Sequence, residues 1–183
     1  MLNDRIKILL YGGNLWSLGA GMFGPLFAVF AERIGGDILD ISWAWATYLI
    51  VTGILIILIG KISDKRNNKE KLMMWGYALN AVFTFGYIFV SNPFQLFIVQ
   101  IGLGIAAALA VPTWEALYSK YEDRKLAGYE WGLASGEGYI ITGIAMVIGG
   151  FIVNYFSFKA LFITMGIVQI IATIYQAKIL KKF

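Results

Sequence analysis

The stretch GKISDKRNNKEKL, residues 60–72, holds five Lys or Arg among its thirteen positions and stands between two of the most apolar runs in the chain. Charge concentrated between such runs marks where a polypeptide leaves a membrane and re-enters it. Only 14% of the 183 residues are charged, while 59% are hydrophobic and the mean hydropathy is +0.72. Soluble domains carry about 25% charged residues. So little charge cannot cover a water-facing surface, and the composition is that of an integral membrane protein.

Outward from that loop, uncharged runs cover residues 8–31, 41–60, 72–114, 138–158 and 160–177. The third is long enough for two crossings and is interrupted at Ser91, Asn92 and Pro93. A helix needs about 20 apolar residues to cross the hydrocarbon. The expected architecture is therefore an all-α membrane protein, a single domain over 1–183 with six spans near 8–31, 41–60, 72–90, 94–118, 128–156 and 159–179. The unbroken apolar runs exclude the alternation of a β-barrel.

Thirteen of the fifteen Lys and Arg fall on one side of these spans, and only Arg33 and Lys159 on the other. The positive-inside rule then predicts a multi-pass protein of the cell membrane with both termini and the 60–72 loop in the cytoplasm. The net charge of +4 reports topology, so no nucleic-acid partner is expected. The chain has no Cys and no His, and no nucleotide-binding or hydrolase motif. Neither an enzyme nor a metal or other cofactor is expected.

The spacing in the loop is more particular than its charge. Gly60 ends the second span, Asp64 and Lys65 follow, and then come Asn67 and Lys69. This resembles the loop between helices two and three of major facilitator superfamily transporters, Gly-x-x-x-Asp-Arg/Lys-x-Gly-Arg/Lys-Arg/Lys, with Asn67 for a glycine and Asn68 for a base. QIGLGIAAALAVP (100–112), EDRKLAGYEWGLASG (122–136) and FSFKALFI (156–163) resemble that family's fourth helix, its entry to helix five and its turn into helix six. Two features depart from it. The stretch 95–104 lacks the arginine of many proton-coupled members, and only Gly149 and Gly150 remain of the helix-five signature of drug antiporters.

The resemblance covers six helices of a family that has twelve in two similar halves. It implies one half of a transporter, with the substrate site between halves. A parallel C2 homodimer would restore the second wall. The expected function is a secondary transporter working by alternating access on a small neutral solute, sugar-like by its amide groups, with proton coupling left open. The alternatives are a multidrug or lipophilic-cation/proton antiporter, one half of a heterodimer, and a non-transporting membrane partner.

Gly132, Gly136, Gly143 and Gly150 fall on one face of span five and are the expected dimer seam, though the same stripe also suits packing inside the protomer. Gly60, Asp64, Lys65 and Arg66 would gate against the partner's helix five, with Glu130 as the acid that Lys65 or Arg66 meets. Glu115 and Glu137 are the ionisable groups within spans and the candidate proton carriers. No cation lies deep in any span, which favours a neutral or cationic solute. Asn14, Trp16, Asn80, Gln100, Trp114, Tyr139 and Gln169 are the candidate substrate contacts, Gln176 completes the polar set, and Trp43, Trp45, Trp75 and Trp131 read as interfacial belt or seam. Gly19, Gly21, Gly24 and Pro25 predict a bend in span one.

Overall fold

Helices account for all the regular secondary structure in the computed structural model, which describes residues 2–65 and 68–181. In chain order they are α1 (Asp4–Gly21), α2 (Leu26–Arg33), α3 (Ile38–Lys65), α4 (Lys69–Gly86), α5 (Pro93–Tyr121), α6 (Ala127–Tyr155) and α7 (Phe158–Gln176). One 3₁₀ turn prolongs α4 over Tyr87–Phe89, and another prolongs α7 over Ala177–Leu180. Five helices are long and apolar enough to cross a membrane, and α1 with α2 makes a sixth, bent span.

The bend has a local cause. Pro25 has no N–H to return to the carbonyl of Gly21, so the Gly24 N–H takes that carbonyl at 3.3 Å and the helix tightens and breaks. The two segments meet at 42°. Beyond α2, Gly35 adopts φ +85°, and the Gly36 N–H reaches back to the Ala31 carbonyl at 2.9 Å. This is the left-handed helix stop that glycine permits. Asn92 and Ser157 cap α5 and α7 by accepting the N–H groups of Gln95 and Ala160.

The helices run past the apolar runs that signal them. At 1.5 Å per residue the 28 residues of α3 span about 42 Å, against about 30 Å of hydrocarbon. Their charged ends therefore reach the headgroup zone. The described start and end of the chain, the end of α3, the start of α4 and the loop after α5 lie on one face, called the basic face below. There the Arg5 guanidinium donates to the Tyr121 hydroxyl and to the carbonyls of Ile179 and Lys181, tying the start of α1 to the ends of α5 and α7.

The bundle is built around α1, α4, α5 and α7, with α3 against α5 on one flank and α6 against α1 on the other. Half of the membrane window of α5 is buried, but only 6% of that of α3 and 11% of that of α6, so α3 and α6 keep most of their surface outward. Lipid supplies no hydrophobic drive between helices, and contact comes from close fit. At Gly76 a Cβ would stand 2.6 Å from the Ala110 amide nitrogen and 2.7 Å from the Ala106 carbonyl, which brings α4 onto α5. Gly104 meets the Tyr48 carbonyl of α3, and Gly149 meets the Met22 carbonyl beyond the end of α1.

On α7, Gln169 and Gln176 lie seven residues apart and rest on Gly19 and Gly12 of α1, which are also seven apart. Gln169 Nε2 donates to the Trp16 carbonyl at 3.1 Å. Towards the face opposite the basic one, six rings close the core: Phe23, Phe27, Phe30, Tyr87, Phe158 and Phe162, with Tyr87 and Phe162 stacked at 5.1 Å.

The glycines separate into two classes by this measure, and stability should follow. Gly76→Ala should lower the stability of the detergent-solubilised chain by about 1–3 kcal/mol through overpacking. Gly132→Ala and Gly143→Ala, where a Cβ meets nothing within 4 Å, should leave the single chain as stable as before. Thermal or denaturant unfolding in detergent reads both.

Candidate functional site

Of the cavities along α1, two share Trp16 as a wall. The one nearer the basic face is about 190 Å³ and is lined by Gly13, Asn14, Trp16 and Ser17 of α1, Tyr77 of α4, Val111, Trp114 and Glu115 of α5, and Ala134 and Gly138 of α6, with Leu10 and Ala110 at its edge. The other is about 120 Å³ and is lined in part by Trp16, Trp45, Tyr48, Asn80, Thr84, Tyr87 and Gln100. We refer to them as the acidic and the amide cavity.

The aromatic walls of the acidic cavity are fixed from behind. The Trp16 ring packs edge-on against Tyr77 at 4.8 Å. Trp114 donates its indole N–H to the Leu9 carbonyl at 3.0 Å and stacks on Tyr118 at 4.8 Å. Tyr118 in turn meets Trp131 at 4.9 Å, and the Trp131 indole N–H is held by Glu122 at 2.6 Å. Glu115 is exposed, and among the described residues its carboxylate has no ion pair and no hydrogen bond. The neighbouring bases Lys120 and Arg124 do not close on it. Glu137 lies beside the cavity, where its carboxylate accepts from Asn14 Nδ2 at 2.5 Å and so links α6 to α1.

Four of the expected substrate contacts and proton carriers thus share one cavity: Asn14, Trp16, Trp114 and Glu115, with Glu137 joined through Asn14. The others separate. Asn80 and Gln100 lie in the amide cavity. Gln169 is 1% exposed and binds the backbone of α1, and Gln176 is fully buried against Met73, so both hold helices together. Tyr139 is 81% exposed on α6 and lines neither cavity. Sequence reading missed Tyr77, one turn before Asn80 on α4, and also Tyr48 and Tyr87. Trp45, read as belt or seam, is half exposed, packs on Phe27 at 5.4 Å and lines the amide cavity.

Asp64 in the loop after α3 is paired within that loop. Lys69 Nζ donates to Asp64 Oδ1 at 2.7 Å and to the Ser63 carbonyl at 3.3 Å, satisfying a group that the end of α3 leaves open. The Asp64 side chain stays 76% exposed. Gly60 has open space around it, Lys65 is exposed, and Arg66 lies outside the described residues. Glu130 is 2% exposed and is held in its own chain: its carboxylate accepts the Asp123 N–H at 3.2 Å and its carbonyl accepts the Tyr118 hydroxyl at 2.7 Å. It is not presented outward in this arrangement.

Gly132, Gly136, Gly143 and Gly150 all face open space, so the stripe does not pack α6 within the chain. Tyr139, Ile140, Val147 and Phe151 of the same helix are exposed as well. On α3, Gly53 and Gly60 are equally open, and Ile50, Ile54 and Ile57 are exposed.

Comparison with known proteins gives these features a family. The profile of the Major Facilitator Superfamily matches residues 9–181. An uncharacterized MFS-type transporter of Methanocaldococcus jannaschii is 26% identical over 157 residues, 86% of this chain and 40% of that protein. The multidrug resistance protein MdtG of Salmonella typhimurium is 24% identical over 174 residues, 91% of this chain and 42% of that protein. The chain therefore spans less than half the length of these two relatives. The uncharacterized MFS-type transporter YitZ of Bacillus subtilis is 19% identical over 161 residues, and there the match covers 84% of this chain and 93% of that protein. The chain is a multi-pass membrane protein of the Major Facilitator Superfamily.

Proposed function

We propose that the chain works as a secondary transporter of small lipophilic cations, exchanged for protons, with the acidic cavity as one wall of the solute path. The observation that carries this reading is Glu115, an exposed carboxylate that lines the same cavity as the indoles of Trp16 and Trp114 and has no ion pair among the described residues. Aromatic faces and a carboxylate together favour a cation with an apolar body. The same carboxylate can take up a proton when the cation leaves, which couples the two fluxes. Relatives named as multidrug resistance proteins agree with this choice. The sugar-like alternative rests on amides of which only Asn14, bonded to Glu137, lines this cavity: Asn80 and Gln100 lie beyond Trp16, and Gln169 braces α1.

The second wall is proposed to come from a second copy in a parallel C2 pair, with both termini in the cytoplasm as the charge bias favours. Open glycines and exposed apolar residues on α3 and α6, the flanks beside the cavity, support that seam. Twofold pairing would place two Glu115 carboxylates around one path. Asp64 and Lys65 would meet the start of the partner's α6 when the cytoplasmic side closes, where a helix N-terminus favours a carboxylate by roughly 0.3–1 kcal/mol.

Three measurements test this. Reconstituted in liposomes, the chain should move tetraphenylphosphonium against an imposed pH gradient, and Glu115→Gln should weaken its binding by about ten- to a hundredfold. Unchanged binding in that variant would remove the cation reading. Native mass spectrometry of the detergent particle should give two chains, and Gly143→Leu should give one while still inserting; a dimer that persists in the variant would exclude this seam. Asp64→Asn should slow turnover and leave the dimer intact, and an unaltered rate would remove the loop from gating.

A further inference from the structure

A third hollow along α1 faces outward. It is a groove of about 430 Å³ where α6 and α7 part over α1, with Tyr11, Leu15 and Leu18 of α1, Ile141 and Ile144 of α6 and Tyr175 of α7 along its sides. Tyr11 and Ile144 are half exposed, so the groove is open to lipid. Its one remaining wall residue is Asn14, which also lines the acidic cavity and is the only residue common to the two.

The contact of α1 with α6 is therefore a wall with a space on each side. Towards the acidic cavity that wall is built from small residues, Gly13 and Ser17 of α1 and Ala134 and Gly138 of α6. A hydrogen bond bridges it at this level, from Asn14 Nδ2 to the Glu137 carboxylate at 2.5 Å. Farther from the basic face the helices press together instead. There a Cβ on Gly21 would stand 3.1 Å from the Ala145 side chain, and Gly149 meets the Met22 carbonyl.

Glu137 heads the α6 side of the groove. It lies four residues before Ile141 and seven before Ile144, which puts the three on one stripe. At about 3.6 residues per turn that stripe is turned roughly 100° from Gly136 and Gly143, so a seam along those glycines leaves the groove uncovered. Two rings stand across the end nearer the basic face: Tyr11 and Tyr175 meet edge-on at 6.4 Å, and Lys178 Nζ lies 4.0 Å from the centre of the Tyr175 ring. The open length of the groove thus faces hydrocarbon. A solute that reaches it is already dissolved in the bilayer, and there it finds apolar sides and a carboxylate at the inner wall. A cation with an apolar body complements both.

We propose that this groove is a side entrance from the bilayer to the acidic cavity, taken by the lipophilic cation, and that the Asn14–Glu137 bond is the bar across it. The solute class rests on the cation reading above; the entrance rests on the wall between α1 and α6. A cation in the groove takes the place of Asn14 on Glu137, the amide turns aside, and the small residues behind it leave room to pass towards Glu115.

The test uses the full chain in liposomes carrying Ser17→Cys. The chain has no Cys, so this thiol is the only one, and position 17 lines the acidic cavity and not the groove. Its alkylation is timed with N-phenylmaleimide, which partitions into the bilayer, and with a trimethylammonium methanethiosulfonate, which stays in water. Asn14→Ala should raise the N-phenylmaleimide rate about tenfold, the factor expected for a lost hydrogen bond to a charged group. Because Asn14→Ala risks loosening the fold, Ile144→Trp is the second arm. It fills the groove from a position already exposed, and it should lower the same rate about tenfold. The water-borne reagent should react at the same rate in all three proteins. An N-phenylmaleimide rate that either variant leaves unchanged, or that moves in step with the water-borne reagent, would overturn the proposal. No transport is measured, so the entrance can fail while tetraphenylphosphonium is still carried, and can stand while Glu115→Gln removes the cation reading.

Discussion

A methyl group on Gly76 would stand 2.6 Å from the amide nitrogen of Ala110, and the α4–α5 pair exists in its present form because that carbon is missing. The same is true where Gly149 brings α6 onto the end of the first segment, and Gly104 makes a tight but less exacting contact of α5 with α3. In a bilayer the helices gain nothing by hiding apolar surface from one another. Fit between backbones takes over that role, and it decides which helices become neighbours. With α4 pressed on α5 and α7 on α1, the face shared by α1 and α5 is left as a hollow. Both cavities are parts of that hollow.

Polar groups inside the bundle are of two kinds, and their partners tell them apart. Gln169 and Gln176 join α7 to α1, and Asn14 joins α1 to Glu137. Glu115, Asn80 and Gln100 instead line a cavity, whereas Gln169 and Gln176, which also keep an unpaired oxygen each, line neither. Unmet polar groups are expensive at membrane depth and mark function by default. The distinction is one of geometry, since an interior glutamine reads the same in either role.

Much of the fold was legible in the sequence. Uncharged runs gave the spans, Gly24 and Pro25 gave the bend, and the one-sided Lys and Arg gave the shared face of the termini. What could not be read was direction. A helix apolar on every side has no moment to say which face is inward, so α5 does not announce that Gln100 and Glu115 point to different cavities. The glycine stripe of α6 was visible, but Gly149 makes a tight contact while Gly150 beside it is open. Glu130 looked like a surface acid because the loop at 122–126 that covers it leaves no mark in the spacing. Trp45 and Trp131 resemble belt or seam tryptophans by position; Trp45, 46% exposed, also packs on Phe27, and Trp131 packs on Tyr118.

Trp16 belongs to both cavities. Its backbone is anchored by Gln169 and its ring leans on Tyr77, so the indole is a partition with a supported edge. Two chambers divided by one plate share a wall. Whatever turns the indole to enlarge one takes space from the other. A solute that displaced the indole from one chamber would alter the affinity of the other, and thermodynamic linkage would return the effect in equal measure.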